Sequence, residues 1–252
     1  MCYEDGDLPP FPPIRGGADA FGEFSLVARD GVASNAFFAH PATPSHRGVV
    51  ILPDFRGLSE FYKELAIRFA EAGVHAVTID YYTREIGRDD RPVDDREFYS
   101  AMLQKTDKNA VDLEVAAAVE WLRALPGVEI DSVFTVGFCC GGSFSWRQAA
   151  RAEQLAGHVS FYGVPDLVGD ELVAKMRGPI LMIIAGKDFT PVESVEALAE
   201  HVRGGGETVE THTYADAPHG FFSRSGEFDG DCDDAWRRVL DFFERHALSS
   251  SR

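Results

Sequence analysis

Ser132-Val133-Phe134-Thr135-Val136-Gly137-Phe138-Cys139-Cys140-Gly141-Gly142 is the stretch whose reading decides the architecture. Its first five residues form a short run without polar alternation, the pattern of a strand buried on both faces. Glycines then mark a sharp turn, and a helix is expected to open near Cys140. A buried strand that turns straight into a helix is one half of a βαβ unit, so the neighbouring segments should repeat the alternation.

They do in both directions. Downstream, strands are expected at 158–162 and 180–186, and Thr190-Pro191-Val192-Glu193 has capping-box spacing, with Pro191 at the first position of a helix reaching about 202. An alternating strand at 207–214 and a helix from about 233 to 246 complete the chain. Upstream, Val111, Val115, Ala118, Val119 and Leu122 lie on one stripe of a helix over 106–125. A strand is expected at 75–80, and before it a helix capped by Ser59 and stopped by Gly73. The run Gly48-Val49-Val50-Ile51-Leu52 is another buried strand, preceded by a hairpin turning at Asp30 and Gly31. Residues 85–97 carry six acidic and three basic residues plus Pro92, which predicts a solvated loop; a lid formed by 85–105 is one use for it. The expected fold class is α/β: one domain over 21–248, with a mostly parallel central sheet covered by helices on both faces, after an extended lead-in at 1–20.

Composition narrows the function. The chain has 252 residues, 45% of them hydrophobic, enough for a sizeable core. Its 24 Lys+Arg against 41 Asp+Glu leave a net charge of −17, which repels phosphate backbones and anionic membrane surfaces. Nucleic acid and membrane are therefore not expected as partners, and an acidic small substrate would need a local arginine. The sequence is silent on oligomeric state. Of the cysteines, Cys139 and Cys140 are adjacent, which no ordinary disulfide framework uses, so reduced thiols are expected. With no apolar leader and no run near the roughly 20 residues that span a bilayer, the expected location is cytoplasmic.

The chemistry centres on Gly137-Phe138-Cys139-Cys140-Gly141. In the α/β-hydrolase fold the G-x-S-x-G version is a strained strand-to-helix turn that projects a nucleophile above the sheet. Here the nucleophile would be a thiol, with the helix N-terminus favouring the reactive thiolate. The backbone N–H of Cys140 would face an oxyanion. A buried structural cysteine beside a tight glycine turn remains the alternative. Asp188, in Gly186-Lys187-Asp188, and His219, in Pro218-His219-Gly220, each follow an expected strand. The order Cys139, Asp188, His219 matches nucleophile, acid and base.

Gly137-Phe138-Cys139-Cys140-Gly141-Gly142, Phe161-Tyr162-Gly163-Val164, Gly186-Lys187-Asp188, Pro218-His219-Gly220-Phe221 and Ala235-Trp236-Arg237-Arg238 together resemble the dienelactone hydrolase family, from about residue 22 to 247. The resemblance implies an α/β-hydrolase that cleaves an ester or lactone through a Cys-His-Asp triad and an acyl-enzyme, without metal or organic cofactor. It gives Asp54 the place of a family glutamate that takes the thiol proton, one methylene shorter here. It makes the N–H of Phe55 the second oxyanion donor. It places Arg84 where the family binds a substrate carboxylate, with neighbouring Tyr82 and the later Arg224 as further substrate contacts. A salt bridge to the acidic loop is the alternative for Arg84. Two other functions stay open: a thiol-redox protein using Cys139 and Cys140, and a non-catalytic binder of a small acidic ligand.

Overall fold

The computed structural model describes residues 6–43, 45–87, 95–151 and 155–248. The strands are β1 (Ala18–Val27), β2 (Ala33–Pro41), β3 (Arg47–Leu52), β4 (His75–Ile79), β5 (Ser132–Phe138), β6 (Gly157–Phe161), β7 (Ile180–Lys187) and β8 (Val209–Pro218). The helices are α1 (Glu60–Glu71), α2 (Thr83–Ile86), α3 (Arg96–Lys105), α4 (Lys108–Arg123), α5 (Cys140–Gln148), α6 (Asp170–Val173), α7 (Val192–Gly204) and α8 (Asp229–His246). The strands form one sheet in the order β1-β2-β4-β3-β5-β6-β7-β8. β1 and β2 make the expected antiparallel hairpin, β2 pairs antiparallel with β4, and the remaining pairs are parallel.

Period-2 alternation along the central strands divides the core. Val49 and Ile51 of β3, with Phe134 and Val136 of β5, pack under α1 and α8, where Phe69, Trp236 and Phe243 are buried. Val50 and Leu52 point the other way, onto Val111, Val115 and Leu122 of α4. Ile180, Met182 and Ile184 of β7 meet Val195, Leu198 and Val202 of α7 on that second face. Both faces of the sheet are therefore covered, as the unbroken apolar runs require.

Three expectations are corrected. The acidic segment is not one loop: α2 and α3 form on either side of residues 88–94, which lie outside the described residues, as does the middle of the expected lid. α3 forms because the Asp95 side chain accepts the N–H of Phe98 at 2.8 Å and because Tyr99 and Met102 share a buried stripe. The helix after β7 begins at Val192 with Pro191 at the cap, one residue later than expected, and no side chain closes a capping bond there; the Thr190 N–H instead donates to Asp188 Oδ1 at 3.1 Å. Ser59 occupies the cap position of α1 in extended conformation, but its side chain makes no capping bond.

The extended lead-in ends where β1 begins, at Ala18. It is tied down: the Trp236 indole N–H donates to the Pro10 carbonyl at 3.0 Å, and the N–H of Arg15 to the Glu71 carbonyl at 2.8 Å.

Candidate active site

Every expected catalytic residue lies at the carboxyl end of a parallel strand, the edge where open α/β sheets hold ligands. Cys139 follows β5, Asp54 and Phe55 follow β3, Asp188 follows β7, and His219 follows β8.

The turn after β5 is shaped by what it must clear. A Cβ on Gly137 would sit 1.9 Å from the Gly141 carbonyl oxygen, and one on Gly141 would sit 2.1 Å from that of Leu52. Glycine at both places lets α5 start directly against the ends of β5 and β3. Between them Cys139 adopts φ 57°, ψ −122°, a conformation an L-residue holds only when its surroundings impose it. The N–H of Cys139 donates to the Phe161 carbonyl at 3.0 Å, which fixes the elbow to β6. The residue stands at the N-cap of α5 and is 9% exposed, so it is recessed but not sealed off. The helix dipole behind it favours the thiolate.

His219 Nδ1 lies 2.9 Å and 2.8 Å from the two carboxylate oxygens of Asp188. A carboxylate oxygen accepts, so Nδ1 carries the proton and Nε2 is the ring nitrogen that Asp188 does not engage. Burial pulls the imidazole down, but the Asp188 carboxylate and the nearby Cys139 sulfur outweigh it, and the ring is raised to about 9. The ring is flanked by Tyr162 at 4.8 Å and by Phe189 at 4.5 Å between centroids.

The loop after β3 is braced from below. Tyr81 donates its hydroxyl to the Pro53 carbonyl at 2.9 Å, and Tyr82 donates to that of Phe55 at 2.5 Å. Burial pushes both phenols up, with the nearby Cys140 and Asp54 adding to the effect, so both remain protonated donors. Asp54 is fully buried; its Oδ1 accepts the N–H of Arg56 at 2.9 Å, and its Oδ2 lies 3.7 Å from Arg56 Nε. The carboxylate thus bends its own loop into an Asx-type turn and faces an arginine two residues on. As the first residue of α5, Cys140 has an N–H with no carbonyl one turn back to bind. Its side chain points inward, where burial and the neighbouring Cys139 push the thiol well above its ordinary range.

Three of the expected substrate contacts sit differently. Arg84 is clamped: Nε meets Glu114 at 2.8 Å and Nη1 meets Asp30 at 2.6 Å, so the hairpin tip and α4 occupy its fork. This is the salt-bridge alternative, made with other partners than the acidic segment. Tyr82 is a brace beneath the Phe55 loop rather than an open surface. Arg224 stacks its guanidinium 4.3 Å from the Phe11 ring of the lead-in. Sequence reading missed Arg56, Tyr81, Tyr162 and Phe189. A charged residue between Phe55 and Gly57 at a strand end was the one available signal; ring contacts with a histidine 30 or more residues away leave none.

Residues 34–247 match the dienelactone hydrolase family. Carboxymethylenebutenolidase 1 of Cupriavidus pinatubonensis is 29% identical over 193 residues, 75% of this chain and 81% of that protein. Protein usf of Aquifex pyrophilus is 28% identical over 234 residues, covering 89% of this chain and 99% of that one. The crystal structure of a dienelactone hydrolase-like promiscuous phosphotriesterase from metagenomic libraries superposes with a TM-score of 0.73 at 22% identity, over 90% of this chain and 99% of that one, which shows a shared fold. With the family match spanning most of the α/β domain, the chain belongs to the dienelactone hydrolase family, hydrolases acting on a lactone or ester.

Proposed function

We propose that this hydrolase cleaves a small carboxylic ester or lactone through Cys139, with His219 and Asp188 completing a triad. The observation that carries the reading is an imidazole whose Nδ1 is held 2.8 Å from a carboxylate, beside a strained, recessed thiol at a helix N-terminus.

The Cys139 thiolate adds to the substrate carbonyl carbon, and the carbonyl electron pair moves onto oxygen. The N–H groups of Cys140 and Phe55 hold that oxyanion, the latter kept in place by Tyr82 on its carbonyl side. The imidazolium gives its Nε2 proton to the departing alkoxide as the tetrahedral species collapses to a thioester. Water then enters, His219 takes its proton, and a second collapse releases the acid and restores the thiolate. Asp188 keeps the Nδ1 tautomer throughout. Asp54 serves by shaping the oxyanion loop, and His219 carries the proton traffic. A lactone passes through the same steps with its alcohol still tethered.

Cys139→Ala should lower turnover of p-nitrophenyl acetate by about a thousandfold or more. In the wild type, rapid mixing should show a nitrophenolate burst stoichiometric with enzyme. Retained turnover in Cys139→Ala would overturn the assignment.

A further inference from the structure

We infer that Phe189 forms the wall against which the alcohol half of the substrate packs, and that the enzyme takes uncharged esters with an apolar or aromatic alcohol. This rests on the thiol-hydrolase reading above and names its substrate class. Phe189 is 69% exposed, the most open of the large hydrophobic side chains among the described residues. Single exposed apolar residues are ordinary on a protein surface, but this one lies against the proposed general acid, centroid to centroid at 4.5 Å with 36° between the planes. A general acid must be within hydrogen-bond reach of the oxygen it protonates, so the leaving oxygen sits at His219 Nε2 and the rest of the alcohol extends past that ring. Of the ring's two aromatic neighbours, Tyr162 is buried at 2% exposure and only Phe189 offers a face.

Charge points the same way. A carboxylated substrate needs a cation, and the described arginines around the site are already balanced or turned elsewhere. Asp30 and Glu114 hold Arg84, Asp54 faces Arg56, and Arg224 lies over Phe11. An anion would also approach a chain of net charge −17. An apolar alcohol meets neither obstacle and covers the open face of Phe189.

Methyl, benzyl and 4-carboxybenzyl butyrate, hydrolysed in a pH-stat, form the test. Wild type should favour benzyl over 4-carboxybenzyl butyrate by about tenfold or more in kcat/KM. Phe189→Ala should shrink the benzyl-to-methyl ratio by about tenfold, chiefly through KM, and Phe189→Tyr should restore it. An unchanged ratio in Phe189→Ala, or a preference for the carboxylated ester, overturns the inference. Cys139→Ala, run on the same three esters, separates the two levels. If it is inactive while the Phe189→Ala ratio is unmoved, only the substrate class falls. If it is active, or if wild type cleaves none of the three, the thiol reading falls and takes this inference with it.

Discussion

Cys139 is held at positive φ by neighbours that have no room to move, and the two glycines beside it pass that constraint into chemistry. Gly141→Ala would drive a methyl group into the Leu52 and Pro53 carbonyls, at 2.1 Å and 2.2 Å. We expect a stability loss of about 2–3 kcal/mol in urea denaturation, with kcat falling as the proposed oxyanion loop is displaced. Asp188→Asn should lower kcat by about four orders of magnitude, because the amide no longer selects the Nδ1–H tautomer. The same substitution tests the raised imidazole. A group held at about 9 in the folded chain, against an ordinary 6.5, stabilises the fold fully below about 6.5 and loses that contribution as pH rises through 9. Thermal denaturation of the wild type should therefore fall off over that window, and Asp188→Asn should give a flatter curve there.

Among the elements, the hairpin of β1 and β2, the short α2 and the long α4 are joined by one arginine. Arg84 bridges Asp30 and Glu114, and the Glu114 carboxyl, 1% exposed, is pushed by burial up to about 7 even though Arg84 pulls it back. Removing the guanidinium leaves a buried acid without its countercharge. Arg84→Met should cost about 3 kcal/mol near pH 8, where Glu114 must ionise or take up a proton, and less near pH 5, where it is already protonated. Urea denaturation at the two pH values checks the sign. Glu114→Gln added to Arg84→Met should recover part of the loss.

For the molecule as a whole, the excess of acidic residues makes a repulsive field that salt can weaken. Raising NaCl from about 20 to about 300 mM should lower KM for 4-carboxybenzyl butyrate severalfold and leave benzyl butyrate nearly unmoved. The lead-in works at this scale too, since Pro10 receives the buried indole N–H of Trp236. Deleting residues 1–14 should cost roughly 2 kcal/mol, measured by thermal or urea unfolding, because that donor is left unmatched.

The strands and the helices α1, α4, α5, α7 and α8 were legible because their signals are local, whereas α2 and α3 were hidden in a charged segment that reads as loop. The apolar run from Val133 to Val136 and the stripe from Val111 to Leu122 carry their periods in consecutive residues, and alternating buried strands with amphipathic helices leaves a covered parallel sheet as the architecture. The Cys139, Asp188, His219 order was legible for a related reason: each follows a strand, and the carboxyl ends of parallel strands share an edge. Arg84 shows where such reading ends. Its partners lie 54 and 30 residues away, and only the docking of the hairpin and α4 brings two carboxylates onto its fork. Phe189 was equally silent, because exposure and contact with His219 depend on how two loops meet. The sequence by itself determined the strands, the helices α1, α4, α5, α7 and α8, their alternation and the thiol at the turn, since these follow from short-range pattern and backbone sterics. Tertiary structure alone decided which charges cancel and which apolar face stays open, because both depend on distances between residues far apart along the chain.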